Sequence, residues 1–210
     1  MNKAAAAGPD LRLCGSHARR VPASLTRIWE NVLDWEHLPH LHAGTFAACR
    51  IEAQGPWGWR AALTSAASGR EERVDLRIDR PAGRYATRLL DGPFAGGEIR
   101  VALTAVADHV TDVLVEFHLP LDPGPGAEAI GAAFARAYAV LWDEDEGMMV
   151  ERQRILDGGP AAGSLTCPHM GGPLAPDPSD PGTLVCPWHG WRFDLASGRE
   201  TSGRKACLPS

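Results

Sequence analysis

The run from Gly158 to Gly182 is too dense in Gly and Pro to be a helix or a central strand, so it must be loops. It carries Cys167-Pro168-His169, and after sixteen intervening residues comes Cys186-Pro187-Trp188-His189. Two thiolates and two imidazoles can hold zinc tetrahedrally, or a [2Fe–2S] cluster with Cys on one iron and His on the other. Zinc sites usually pair Cys with Cys and His with His, each pair at its own spacing. Here each half supplies one of each, so two matching loops can clasp opposite ends of a diamond-shaped cluster. A zinc knuckle is the competing reading.

Ahead of this run the chain reads differently. A first strand is expected over Leu11–Val21, and Pro22-Ala23-Ser24 opens a helix with Leu25, Ile28, Trp29 and Val32 on one face. Strand-like runs follow at 46–53, 58–65, 72–79, 85–90, 98–107 and 113–119, and the QGPWGWR turn suggests a hairpin. A long helix is expected from about Ala127 to Leu156, with an apolar stripe through Ile130, Phe134, Ala137, Leu141, Met148 and Ile155. Glu144 and Asp145 flank that stripe, whereas Asp143 points to solvent. An acid beside a buried stripe needs a partner, and a metal is a good one. Gly147 in mid-helix marks a kink or a close approach.

Composition narrows the partners. A net charge of −5 leaves no excess of Lys and Arg for nucleic acid. No apolar run is long enough to span a membrane, and the opening MNKAAAAGPD has no apolar core of a secretory signal. Five cysteines without a disulfide framework suit a reducing cytoplasm. Cys14, Cys49 and Cys207 read as small apolar residues, and Trp57, Trp59, Phe94 and Phe117 as core packing rather than cavity lining.

The text CPHMGGPL…CPWHGWRFDLASG resembles the Rieske domain, which implies a [2Fe–2S] cluster on Cys167, His169, Cys186 and His189. No further Cys lies between the two loops, so the loop-bracing disulfide of the respiratory-complex branch is absent, and the oxygenase and ferredoxin branches are the better comparison. The strand series closed by a long helix resembles the helix-grip fold of START and polyketide-cyclase-like proteins. An α+β chain is therefore expected: a helix-grip domain over residues 1–157 and a minimal Rieske domain over 158–210.

Glu30-Asn31-x-x-Asp34-x-x-His37-x-x-His40-x-His42 resembles the mononuclear-iron motif of Rieske-type ring-hydroxylating and demethylating oxygenases, whose catalytic domain is also of the helix-grip type. Those enzymes run Rieske first and catalytic domain second, the reverse of the order here. By that resemblance His37 and His42 ligate Fe(II), with His40 as a competing ligand. WDEDEGMMVERQ resembles the segment supplying the aspartate, which favours Asp145 and completes a two-His, one-carboxylate triad. Asp34 then bridges a ligating histidine and a Rieske histidine, usually across subunits, so a homo-oligomer, most simply a trimer, is expected. The implied activity is hydroxylation or oxidative demethylation of a small apolar substrate with O₂. Electrons come from an NAD(P)H-dependent reductase, with or without an intervening ferredoxin. Two other readings stay open: a Rieske electron carrier or redox sensor fused to a ligand-binding domain, and a cyclase-like enzyme with a structural cluster.

Overall fold

The structure is a computed structural model describing residues 10–122, 124–159 and 163–203. Its elements are β1 (Arg12–Val21), α1 (Leu25–Leu33), α2 (Leu38–Leu41), β2 (Phe46–Gly55), β3 (Gly58–Ser65), β4 (Glu71–Asp79), β5 (Arg84–Leu89), β6 (Glu98–Ala107), β7 (Val110–Leu119) and α3 (Pro125–Gly158). Three short strands follow: β8 (Ala175–Asp177), β9 (Asp180–Val185) and β10 (Arg192–Asp194). Cys207 lies outside the described residues.

The first seven strands make one antiparallel sheet in the order β1-β7-β6-β5-β4-β3-β2. Six of them form a meander, and β1 joins beside β7, so the segment holding α1 and α2 must cross from one edge of the sheet to the other. Alternation sets the inner face. Thr111, Val113, Val115, Phe117 and Leu119 of β7, with Ile99, Val101 and Leu103 of β6, all point inward. At the β2–β3 turn Gly58 has φ +123°, and a Cβ there would meet the Leu76 carbonyl oxygen at 2.1 Å.

Helix α1 is capped by the Ser24 side chain, which accepts from the Arg27 N–H, and it buries Ile28, Trp29 and Val32. The Trp59 indole donates to the Val32 carbonyl at 3.0 Å and pins the helix end to β3. Helix α3 lies against β1 backbone to backbone. A Cβ on Gly131 would sit 1.9 Å from the Cys14 carbonyl oxygen, so only glycine permits this approach.

That contact shifts the buried face of α3 from the expected stripe. Ala137 is exposed, while Tyr138, Trp142, Asp145 and Met149 follow one another inward at helical spacing. Gly147 is not a close approach, because nothing lies within 4 Å of where its Cβ would be. Trp59 and Phe117 belong to the core, Phe94 packs on Phe134, and Trp57 lies under the Arg77 guanidinium.

Strands β8–β10 form a separate three-stranded antiparallel sheet. Around it a second apolar cluster gathers Met148, Cys167, Met170, Leu184, Cys186, Trp188 and Phe193, with Leu41 of α2 packed against it. Helix α3 thus serves both cores, through Trp142 and Met149 on one side and Met148 on the other. The two cores meet at α2 and α3.

Candidate metal centres

The two Cys–His loops share one backbone pattern. Cys167 accepts from the Gly171 N–H, and Cys186 accepts from the Gly190 N–H, at 2.8 and 2.9 Å. Each Cys N–H donates to the carbonyl five residues on, Gly172 or Trp191, both at 2.8 Å. The base of each loop is closed by an antiparallel pair, Thr166 with Pro173 and Val185 with Arg192. Gly171 and Gly190 have φ of +82° and +65°, left-handed backbone that glycine adopts without a Cβ clash.

This geometry sorts the four side chains by type. The Cys186 thiol is pushed far up by a hydrogen bond with Cys167, then by burial, so the two sulfurs are neighbours. The His169 and His189 rings are 4.5 Å apart. A thiol pair on one side and an imidazole pair on the other is the donor set of a mixed Cys/His [2Fe–2S] cluster. The two imidazoles differ in environment. His169 is exposed and stacks flat on Trp191 at 4.8 Å, whereas His189 is only 1% exposed.

The second constellation lies inside the large sheet. His37 and His42 cap the two ends of α2, and Asp145 comes from α3. One ligand atom from each, all within 4.8 Å of one another, makes a two-His, one-carboxylate cluster. Asp145 Oδ1 is 3.4 Å from His37 Nε2 and 3.1 Å from His42 Nε2. All three are buried, at 4%, 1% and 9% exposure for His37, His42 and Asp145, deep enough that an uncompensated charge would be costly. His40 stands outside the cluster. It is exposed and packs on Gly190, whose Cβ would come 2.3 Å from the imidazole.

Each histidine turns its other nitrogen toward a carboxylate. His42 Nδ1 is 2.7 Å from half-buried Glu144, and His37 Nδ1 is 3.6 Å from Asp34. The Asn31 amide donates to Asp145 Oδ1 at 2.8 Å. Burial lowers the His42 pKa, but Asp145 and then Glu144 outweigh it and raise the group. Asp143 is exposed and pairs with Arg19 of β1 at 2.8 Å, away from the cluster. The local sequence offers Asn31 and Glu144 no signal for these partnerships beyond helical phase.

Asp34, at the C-cap of α1, stands between the two constellations. Its Oδ1 accepts from the Glu36 N–H at 3.2 Å, and its Oδ2 lies 2.6 Å from His189 Nε2. Burial would raise this carboxyl, yet the hydrogen bond with His189 and the neighbouring His37 imidazole hold it well below the usual carboxylate range. Asp34 and His189 meet within a single chain. Helices α2 and α3 lead the loops there, as Leu41, Met148 and the bond from Arg152 to the Met170 carbonyl show.

The triad borders a cavity of about 130 Å³ whose other walls include Trp59, Leu76, Tyr85 and Trp142. It adjoins a second lobe of about 340 Å³ that reaches Ser65, Ser68 and Arg70 at the surface. The lobes share Phe46, Leu63, Val74, Thr87, Tyr138 and Leu141.

Residues 126–209 match the family model of the Rieske [2Fe-2S] domain, a match that takes in α3 as well as both Cys–His loops. An iron–sulfur electron-transfer role follows for that part of the chain. No curated protein matches the sequence. Among solved structures, the chain is similar to the Zhui aromatase/cyclase from Streptomyces sp. R1128, with TM-score 0.57 and 17% identity over 71% of this chain and 99% of that one. It is also similar to a START superfamily protein from Mycobacterium smegmatis, with TM-score 0.52 and 22% identity over 65% of this chain and 96% of that one. A third is norcoclaurine synthase from Thalictrum flavum, with TM-score 0.51 and 18% identity over 69% of this chain and 89% of that one. At such identities the likeness is one of fold. The chain joins a START-like helix-grip fold to a Rieske domain, and among the described residues no helix is long and apolar enough to cross a membrane.

Proposed function

We propose that this chain is a Rieske-type non-haem iron oxygenase, divided near Asp157, whose two centres are linked through Asp34 of the same polypeptide. Cys167, His169, Cys186 and His189 hold the [2Fe–2S] cluster, and His37, His42 and Asp145 hold a mononuclear Fe(II). When bound, the cluster supplies single electrons and the Fe(II) a site for O₂ activation, for hydroxylation or oxidative demethylation of an apolar substrate.

The observation that carries this reading is Asp34 Oδ2, 2.6 Å from His189 Nε2 and 3.6 Å from His37 Nδ1. With one oxygen occupied by the Glu36 N–H, Asp34 has the other to hold two imidazoles from different centres in line. Glu144 does the same for His42, fixing which nitrogen carries the proton and leaving Nε2 for the metal. Asn31 fixes Asp145. Exposed His169, backed by Trp191, is the face on which an NAD(P)H-dependent reductase or a ferredoxin delivers electrons. Because the link is made within one chain, a homo-trimer is not needed to complete it. Among the described residues Cys14 and Cys49 form no disulfide, which suits a reducing cytoplasm.

Anaerobic purification followed by iron and labile-sulfide analysis tests the reading. Three irons and two sulfides per chain are expected, together with oxidation of the reduced cluster by O₂ in a single turnover when an apolar substrate analogue is present. Two irons, with an oxidation rate unchanged by His37→Ala, would leave a Rieske electron carrier fused to a ligand-binding domain.

A further inference from the structure

Away from the triad, Asn31 and Asp34, the walls of the inner lobe are apolar apart from three hydroxyls, and the outer lobe adds Thr45, Ser65, Ser68, Arg70 and Glu72. Thr87 of β5 and Tyr138 of α3 line both lobes, and Tyr85 lines the inner one. Neither tyrosine hydroxyl nor the Thr87 hydroxyl makes a hydrogen bond to another described residue, although Tyr138 is packed at 5.2 Å from Phe117 and Tyr85 at 6.2 Å from Trp29. Ring packing explains aromatic residues at these positions and would be served equally by phenylalanine. It does not explain the hydroxyls. Elsewhere in this core the polar tips are used: Trp59 donates to Val32, and Thr111 donates to Ala23. A hydroxyl set among apolar walls without a protein partner is there for what enters.

From this we infer that Tyr138 and Thr87 recognise a single hydrogen-bonding oxygen, phenolic or carbonyl, on an otherwise apolar aromatic substrate of one or two rings. The inner lobe, about 130 Å³, is close to the ~150 Å³ apolar cavity that takes a benzene ring. A second ring and any substituent extend past Phe46, Leu63, Val74 and Leu141 into the outer lobe. The hydroxyls stand at the junction, so an oxygen held there leaves the ring beyond it against His37, His42 and Asp145. Tyr138 and Thr87 are specificity residues, an assignment that rests on the triad cavity being the substrate site.

Equilibrium dialysis of the full chain with 2-naphthol and with naphthalene tests the inference, since the two probes share a shape and differ by one hydroxyl. Wild-type protein should prefer 2-naphthol by about 3- to 10-fold, the ratio that one net hydrogen bond provides. Tyr138→Phe should bring that ratio close to one while naphthalene binding stays unchanged, which also shows that the cavity is intact. Thr87→Val is the second variant should Tyr138→Phe fail to fold, and it should lower the ratio in the same direction. Equal affinities in wild type, a preference that survives both substitutions, or no binding of either probe would overturn the inference. The dialysis is independent of iron content, so a lost preference at three irons per chain removes this inference alone. A retained preference at two irons removes the oxygenase reading alone.

Discussion

The two candidate centres are built in opposite ways. The Cys–His loops are local: each is a single turn closed by its own backbone hydrogen bonds, and the second repeats the first. The His–His–Asp cluster is assembled from a far-off helix, with Asp145 more than a hundred residues after His42. One centre depends on backbone conformation and glycine, the other on side-chain partners such as Asn31 and Glu144. A local centre can lose its metal and leave the rest of the fold standing, whereas an assembled one reports on the packing of the whole sheet and helix.

The comparison can be broken most directly at Cys186. Cys186→Ser should abolish the iron–sulfur absorption and loosen residues 163–203, read by amide hydrogen exchange, while protection of β1–β7 is retained. Equal loss of protection in both parts would mean that the loops are not local. Asp145→Ala should do the reverse, removing one iron per chain and leaving the Rieske spectrum intact; a changed spectrum would show that the centres are interdependent.

Gly131→Ala probes the assembly itself. Its Cβ would collide with the Cys14 carbonyl, so stability should fall toward the upper end of the about 1–3 kcal/mol that overpacking costs, with lowered iron affinity at the triad as α3 shifts. Denaturant melts with iron titration would show both. Glu144→Gln should weaken Fe(II) binding about 10- to 100-fold with little change in melting, the range lost when a carboxylate behind a metal-bound histidine is removed. Asp143→Ala, which breaks only a pair with an exposed carboxylate, should change stability by about 1 kcal/mol or less and leave both metals in place.

Local centres are also the legible ones. Cys167, His169, Cys186 and His189 could be grouped from spacing, but the Gly- and Pro-rich run between them is not loops alone: it forms β8 and begins β9, the central strand of the small sheet, because short strands pair there despite Pro176 and Pro181. Strand limits in the large sheet were legible: Gly58–Ser65 and Glu98–Ala107 announce themselves by alternation and flanking turns. The strand β7 begins earlier than alternation suggests, at Val110, because pairing with β6 continues past the apolar run. Strand order was not legible, since pairing of β1 with β7 joins the two ends of the series. Within the assembled centre, sequence spacing left His40 as a competitor to His42, and the structure separates them: His42 is buried with Nε2 3.1 Å from Asp145, whereas His40 is exposed and packs on Gly190. The face of α3 was misjudged by about one residue because Gly131, absent from any apolar stripe, sets the contact with β1. Tyr138 lies seven residues before Asp145, so a stripe centred on the acid would have found it.

The 2.6 Å contact between His189 and Asp34 joins residues 155 positions apart in one chain. Its formation is therefore unimolecular, set by the effective concentration that the intervening fold imposes rather than by how much protein is present. Dilution, which separates the subunits of an oligomer and with them any bridge between their surfaces, leaves this one closed.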